Sequence, residues 1–266
     1  MRWLILLAAS AAVTYSQTAP PNDTGVSIGH IHLVVDDPAA QKKLWVDVLG
    51  AQVTHAGTLE MFKLPGVFVV VQAARRGPNA SEEGSDGSTV NHFGFLVKSY
   101  SETKAKLTSA GVTAFPVDRP EQHQFIAEFP DKVRVEFTED SALKTPIAFH
   151  HIHEVTADVD GLRAWYVKTF GAKSGKRGDF ESAMLPGGEV DFRKADSAPA
   201  ATKGRSLDHI GFEIKGLEDF CKTLQGQGVH FDLPYREMPQ LDGMKIAFII
   251  DPVGTRIELT EGLYRH

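Results

Sequence analysis

Cysteine is almost absent from this 266-residue chain. Cys221 stands alone, so no intramolecular disulfide and no thiolate metal site can form. It falls on the apolar side of an expected helix, where a thiol packs rather than reacts. Any excess of basic residues is missing too: 28 Lys and Arg against 34 Asp and Glu give a formal charge of -6, with the cations scattered among acids. Nucleic-acid binding needs clustered cations to neutralise phosphates, so no nucleic acid and instead a small-molecule substrate is the expected partner. Nor is there a long apolar run. The stretch Trp3 to Val13 falls short of the about 20 residues that span a bilayer. Arg2 precedes it, polar Gln17 follows, and small residues occupy the places before a cut after Ser16, which is the form of a signal peptide over residues 1–16. An uncleaved anchor or a buried terminal helix is the competing reading. No cysteine follows the run, which argues against a lipid anchor. Export without disulfides suits a bacterial periplasm, so the expected location is secreted or periplasmic, with no stable membrane anchor after cleavage. The oligomeric state is open.

What the chain does have is repetition. Gly29-His30-Ile31-His32-Leu33-Val34-Val35 returns 121 positions later as His150-His151-Ile152-His153-Glu154-Val155-Thr156, and Leu64-Pro65-Gly66 as Leu185-Pro186-Gly187. His92-Phe93-Gly94-Phe95-Leu96-Val97 returns 117 positions later as His209-Ile210-Gly211-Phe212-Glu213-Ile214. Two copies, 27–142 and 148–263, meet near Lys144 to Ala148, where Pro146 marks a linker.

Each copy contains a smaller unit twice. Residues 30–35 alternate and are rich in β-branched types, which predicts a strand. Asp37 can cap a helix with Pro38 in its first turn, running from Ala39 to Leu49 and closing at Gly50, with Leu44, Val48 and Leu49 as its apolar stripe. Strands are expected near 51–56, 58–64 and 67–73. The second half repeats the order from His92, with a helix near 101–110 and strands near 113–117, 124–128 and 133–138. Arg75 to Thr89 and Ala195 to Ser206 read as surface, mobile loops.

Three positions in each copy suit a metal: His30, His92 and Glu136 in the first, His151, His209 and Glu258 in the second. Two imidazoles and a carboxylate leave positions open for substrate or water, and suit a divalent cation such as iron, manganese or zinc. A buried carboxylate is costly unless it is paired. Arg134 and Arg256, two residues from each Glu on the same strand face, could explain both carboxylates as plain ion pairs. Recurrence of all three positions together favours the metal.

A strand-helix-three-strand unit with these positions resembles the vicinal oxygen chelate superfamily, which includes glyoxalase I, fosfomycin- and bleomycin-resistance proteins and extradiol dioxygenases. The likeness covers about residues 28 to 262. His30 with Asp37 and His151 with Asp158 match the family's opening pattern, and His92 and His209 match its second ligand. Asp251-Pro252-Val253-Gly254-Thr255-Arg256-Ile257-Glu258 matches the closing pattern, of which Phe129 to Glu136 keeps only the Glu. The resemblance implies an α+β fold of four βαβββ modules, paired into two tandem domains whose curved mixed sheets enclose cavities.

It also implies a metal that binds two neighbouring substrate oxygens, and a lyase, isomerase or oxygenase. Phe248 stands where extradiol dioxygenases resemble one another in having Tyr, which counts against ring cleavage. Glu189 and Asp191 offer a fourth carboxylate in the second copy, as in glyoxalase I. His32 and His153 share a strand face with the first ligands and are candidate catalytic bases. Phe62, Phe68, Phe95, Phe125, Phe192 and Phe212 are expected mostly in the core. A rival reading is a non-catalytic binding protein of the bleomycin-resistance type. A third keeps one working site, the second copy's, where the turn is intact.

Overall fold

The computed structural model describes residues 18–74, 83–195 and 197–266. The expected signal peptide, residues 1–16, lies outside them. Sixteen strands fall into four modules: β1 (Val26–Val35), β2 (Gln52–Ala56), β3 (Leu59–Leu64) and β4 (Val67–Ala73); β5 (Val90–Val97), β6 (Val117–Arg119), β7 (Gln124–Phe129) and β8 (Val133–Glu139). The second copy adds β9 (Ile147–Thr156), β10 (Lys173–Arg177), β11 (Phe180–Leu185) and β12 (Gly188–Lys194), then β13 (Leu207–Ile214), β14 (Phe231–Met238), β15 (Met244–Ile250) and β16 (Arg256–Glu261). One helix follows the opening strand of each module: α1 (Pro38–Lys42), α2 (Tyr100–Ser109), α3 (Val159–Phe170) and α4 (Leu217–Gly226).

Helix starts follow the expected chemistry. The Asp37 carboxylate accepts from the N–H groups of Ala39 and Ala40, with Pro38 in the first turn, and Asp158 caps α3 through Gly161 N–H. The helix expected from Ala39 to Leu49 is α-helical only to Lys42 and widens to a π-turn over Lys43–Val48. That widening turns Trp45 fully inward, where its indole donates to Gln41 Oε1 at 3.0 Å. Of the strand expected near 113–117 only Val117 is in one: β6 is three residues long and runs on to Arg119.

The modules pair across the sequence copies. One eight-stranded sheet runs β14-β15-β16-β13-β1-β4-β3-β2, the other β10-β11-β12-β9-β5-β8-β7-β6. Thus the first and fourth modules share a sheet, as do the second and third. In each, two opening strands meet antiparallel at the centre, flanked by parallel closing strands: β1 with β13 between β4 and β16, and β5 with β9 between β12 and β8. Each copy is held together by its helices instead. Trp45, in the first module, packs on Phe93 and Phe129 of the second, and Phe170 of α3 packs on Phe212 of β13. A continuous apolar core runs through these contacts, and Phe62, Phe95, Phe125, Phe192 and Phe212 are buried in it as expected. Phe68 is buried in a smaller cluster with Met61, Met244 and Phe248.

The two expected loops meet expectation only in part. Residues 75–82 and 196 lie outside the described set; of the rest, Glu83, Asp86, Gly87, Ser197, Ala198, Ala200, Ala201, Lys203 and Gly204 are exposed, while a polar subset turns inward. Ser85, Ser88, Thr89, Thr202 and Arg205 are all buried. Arg205 donates from Nε to Gly84 O at 3.0 Å and from Nη2 to Asp86 O at 2.9 Å, and Thr89 N–H donates to Ala200 O. The loops are polar because they hydrogen-bond one another across the junction of the sheets, satisfying buried backbone groups. Among the described residues no helix is long and apolar enough to cross a membrane.

Candidate metal centres

The six expected ligands converge, but in a different grouping. Each sequence copy was expected to supply its own triad of His, His and Glu; the sheets instead unite His30 with His209 and Glu258, and His151 with His92 and Glu136. The cause is strand pairing. His32 lies opposite His209 and His30 opposite Gly211, and Gly211 lies beside Glu258 on the next strand. His92 likewise lies opposite His153, Gly94 opposite His151, and Gly94 beside Glu136.

A close approach explains the glycines. Each ring reaches Glu by crossing over the partner strand, and a Cβ on Gly211 would lie 2.0 Å from His30 Cε1. A Cβ on Gly94 would lie 2.1 Å from His151 Cε1. Any side chain at either place would occupy the space of the imidazole.

In the first centre His30 Nε2 lies 2.9 Å and His209 Nε2 3.0 Å from the same oxygen of Glu258. His32 completes a group whose donor atoms lie within 4.8 Å of one another. All four are buried. Burial alone would push the Glu258 carboxyl up, but hydrogen bonds from His209 and His30 outweigh it and hold it well below the usual range. Burial opposes charge on His209 too, yet bonds to Asp208 and Glu258 raise its pKa. His32 is driven well down, by burial and then by His209, so it is a neutral base.

The second centre is looser. His92 Nε2 lies 3.2 Å and His151 Nε2 3.7 Å from the two Glu136 oxygens. Both nitrogens, and His153 Nδ1, are buried without a hydrogen-bond partner, and His92, His151 and His153 form the second group close enough to hold an ion. His153 stacks on His92 at 4.6 Å and meets the edge of Phe180. Burial first, then nearby cations, lower both His151 and His153, His153 to about 2. His150, outside the cavity, approaches His151 with Nδ1 atoms 3.1 Å apart. Two imidazoles facing a carboxylate, paired with it in the first centre and without a hydrogen-bond partner in the second, are a donor set that fits a divalent metal.

The ion-pair alternative for the two carboxylates does not hold. Arg256 binds Asp208 at 2.9 Å and Asp232 at 2.8 Å, and Arg134 binds Asp86 at 2.5 Å. The cation near Glu136 is Arg177, at 3.6 Å. Asp191 does not join the histidines either: it binds Arg177, and burial, only partly offset by that guanidinium, raises it to about 7. Glu189 lies 3.9 Å from both Arg177 and His150.

Two supporting residues escaped the sequence reading. Asp208 accepts from His209 Nδ1 at 2.6 Å, and Asn91 contacts His92 Nδ1 at 2.9 Å. Their signal was adjacency: each precedes the second ligand histidine, where its side chain can hold the ring from behind.

Residues 27–137 and 148–259 each match the family model for the glyoxalase/bleomycin resistance protein/dioxygenase superfamily. The chain belongs to that superfamily. Glyoxalase I from Zea mays shares the fold over 90% of this chain and 94% of its own, at 14% identity and a TM-score of 0.69. A protein from Bacillus subtilis subsp. subtilis str. 168, provisionally assigned as a dioxygenase, covers 92% of this chain and 86% of its own at 15% identity and a TM-score of 0.60. No curated protein matches the sequence. The α+β architecture of paired βαβββ modules is thus the superfamily's, and glyoxalase-like members of it typically use a divalent metal.

Proposed function

We propose that the chain is a divalent-metal-dependent enzyme, of lyase, isomerase or oxygenase type, working at His30, His209 and Glu258. The observation that carries this reading is the convergence of two Nε2 atoms on one Glu258 oxygen, at 2.9 and 3.0 Å, in the floor of a cavity of about 390 Å³. The same cavity is served by the intact Asp251-to-Gly254 turn, so the better-preserved closing pattern belongs to this centre.

Met61, Val70, Met244, Ile246 and Phe248 form apolar walls around it. Such walls favour a substrate with an apolar body and an oxygen-bearing end directed at the histidines. A bound divalent ion supplies Lewis acidity to a pair of substrate oxygens. The protein supplies the rest. Asp208 fixes the His209 ring, and the walls exclude water. Arg256 is pinned by Asp208 and Asp232 beneath Phe248, at 3.9 Å from the ring centre. His32, neutral and among the donors, takes or returns a proton; His153 is its counterpart in the second cavity. Iron, manganese and zinc all suit this donor set.

The signal-peptide form of residues 1–16 adds a secreted or periplasmic location to the proposal. One preparation tests both parts: protein from the extracellular or periplasmic fraction, sequenced at its N-terminus and analysed for metal. Its chain is expected to begin at Gln17. His209→Ala should lose the first centre's metal while His92→Ala keeps it, and cobalt(II) substitution should show the same difference in the visible spectrum. Metal content unchanged in His209→Ala would overturn the enzyme reading and leave the non-catalytic binding protein.

A further inference from the structure

The repeat preserves both ligand sets and changes the walls around them. Carried forward 121 positions, Ala56, Phe68, Val70 and Gln72 of the first module correspond to Arg177, Glu189, Asp191 and Arg193. The first cavity is consequently apolar above its histidines. The second, of about 250 Å³, is lined by Arg119, Arg134, Arg177 and Arg193.

These guanidinium groups are not equivalent. Arg177 and Arg134 sit low in the cavity and are compensated, the first by Asp191 with Glu136 nearby, the second by Asp86. Arg119 donates only to an amide oxygen, that of Gln124 at 2.9 Å, and Arg193 has no carboxylate partner among the described residues. Both are exposed at the mouth. His92 and His153 line the same cavity, and His92 Nε2 and His153 Nδ1 are buried without a hydrogen-bond partner. Two uncompensated cations at the mouth, above a buried floor of His92, His153 and Glu136, make a site for negative charge with a polar inner end. An arginine fork matches the planar or tetrahedral oxygens of such a group.

We infer that the second cavity is a separate anion site, which takes a small molecule bearing a carboxylate or phosphate gripped by Arg119 and Arg193. At about 250 Å³ it suits a more compact occupant than the first cavity, of about 390 Å³. The two cavities would then bind different molecules, one with an apolar body and an oxygen-bearing end in the first and a compact anion in the second. This inference does not depend on the activity assigned to the first cavity.

Isothermal titration of the mature protein at low salt, with malonate and inorganic phosphate as separate probes, tests it. The experiment is run on metal-loaded and chelator-treated protein, so that capture by an ion is separated from capture by arginine. Saturable binding of one anion per chain is expected in both preparations, and the tighter probe tells carboxylate from phosphate. The Arg119→Gln/Arg193→Gln double variant, altered only at exposed positions, should melt like the parent and bind about tenfold more weakly or worse. Arg193→Glu alone should weaken binding further than Arg193→Gln. Absence of saturable binding for both probes, or undiminished binding by the double variant, would overturn the inference.

Discussion

At the scale of single residues, the centres depend on what is missing from two strand positions. Gly211 and Gly94 have ordinary strand backbones, so neither is needed for a turn; they are needed because an imidazole lies across them. Gly211→Ala is expected to displace His30 and weaken metal binding at the first centre by about 10- to 100-fold, as loss of a ligand's support generally does. Competition with a chromophoric chelator would measure it. Gly226→Ala is the control: a Cβ there meets nothing within 4 Å, and metal affinity should not change. Equal effects from both substitutions would show that the glycines matter only to general stability. The six candidate ligand residues could be picked out in the sequence because the repeat displayed each twice. Asp208 and Asn91 were not, since a polar residue before a strand histidine is common and only the ring's orientation gives it meaning.

Among the elements, the turn into the closing strand separates the two halves. In the last module Gly254 takes φ +103, and Asp251 Oδ1 accepts from the N–H groups of Val253, Gly254 and Thr255. The corresponding turn before β8 keeps neither residue, and Asp131 and Lys132 adopt φ 61 and φ 57. Left-handed backbone at a residue with a Cβ costs about 1–2 kcal/mol. Lys132→Gly, restoring glycine at the place of Gly254 on an exposed residue, should therefore stabilise the protein by about 1 kcal/mol, seen as a raised denaturant midpoint. A lowered midpoint would mean that the Lys132 side chain contributes more than the strain removes. The loops teach a related lesson. Their Gly-, Ser- and Ala-containing composition suggested surface, which holds for part of them, but composition cannot distinguish polar groups facing water from polar groups facing another loop.

For the whole molecule, the cross-pairing of modules makes the two sequence copies interdependent. Each sheet draws half its strands from each copy, and each candidate metal centre draws its histidines from both. Residues 18–145 and 146–266 produced separately should fail to assemble the His30–His209–Glu258 centre, because β1 and β5 would present unpaired central edges. Co-expression of the halves should restore metal binding and a cooperative melt. A monomeric single half that melts cooperatively and holds a stoichiometric metal would refute this interdependence.

The sequence by itself determined the number of modules, the order of strands and helices within them, and the residue types able to ligate a cation. Those follow from local patterning and from repetition, which a linear chain displays openly. Tertiary structure alone decided which histidine meets which carboxylate, that Arg177 rather than Arg134 lies beside Glu136, and that one cavity is apolar while the other is cationic. Those outcomes depend on which opening strands become neighbours. Four nearly equivalent edges compete for that role, and the contacts that select among them, such as Trp45 on Phe93 and Phe170 on Phe212, join residues more than forty positions apart.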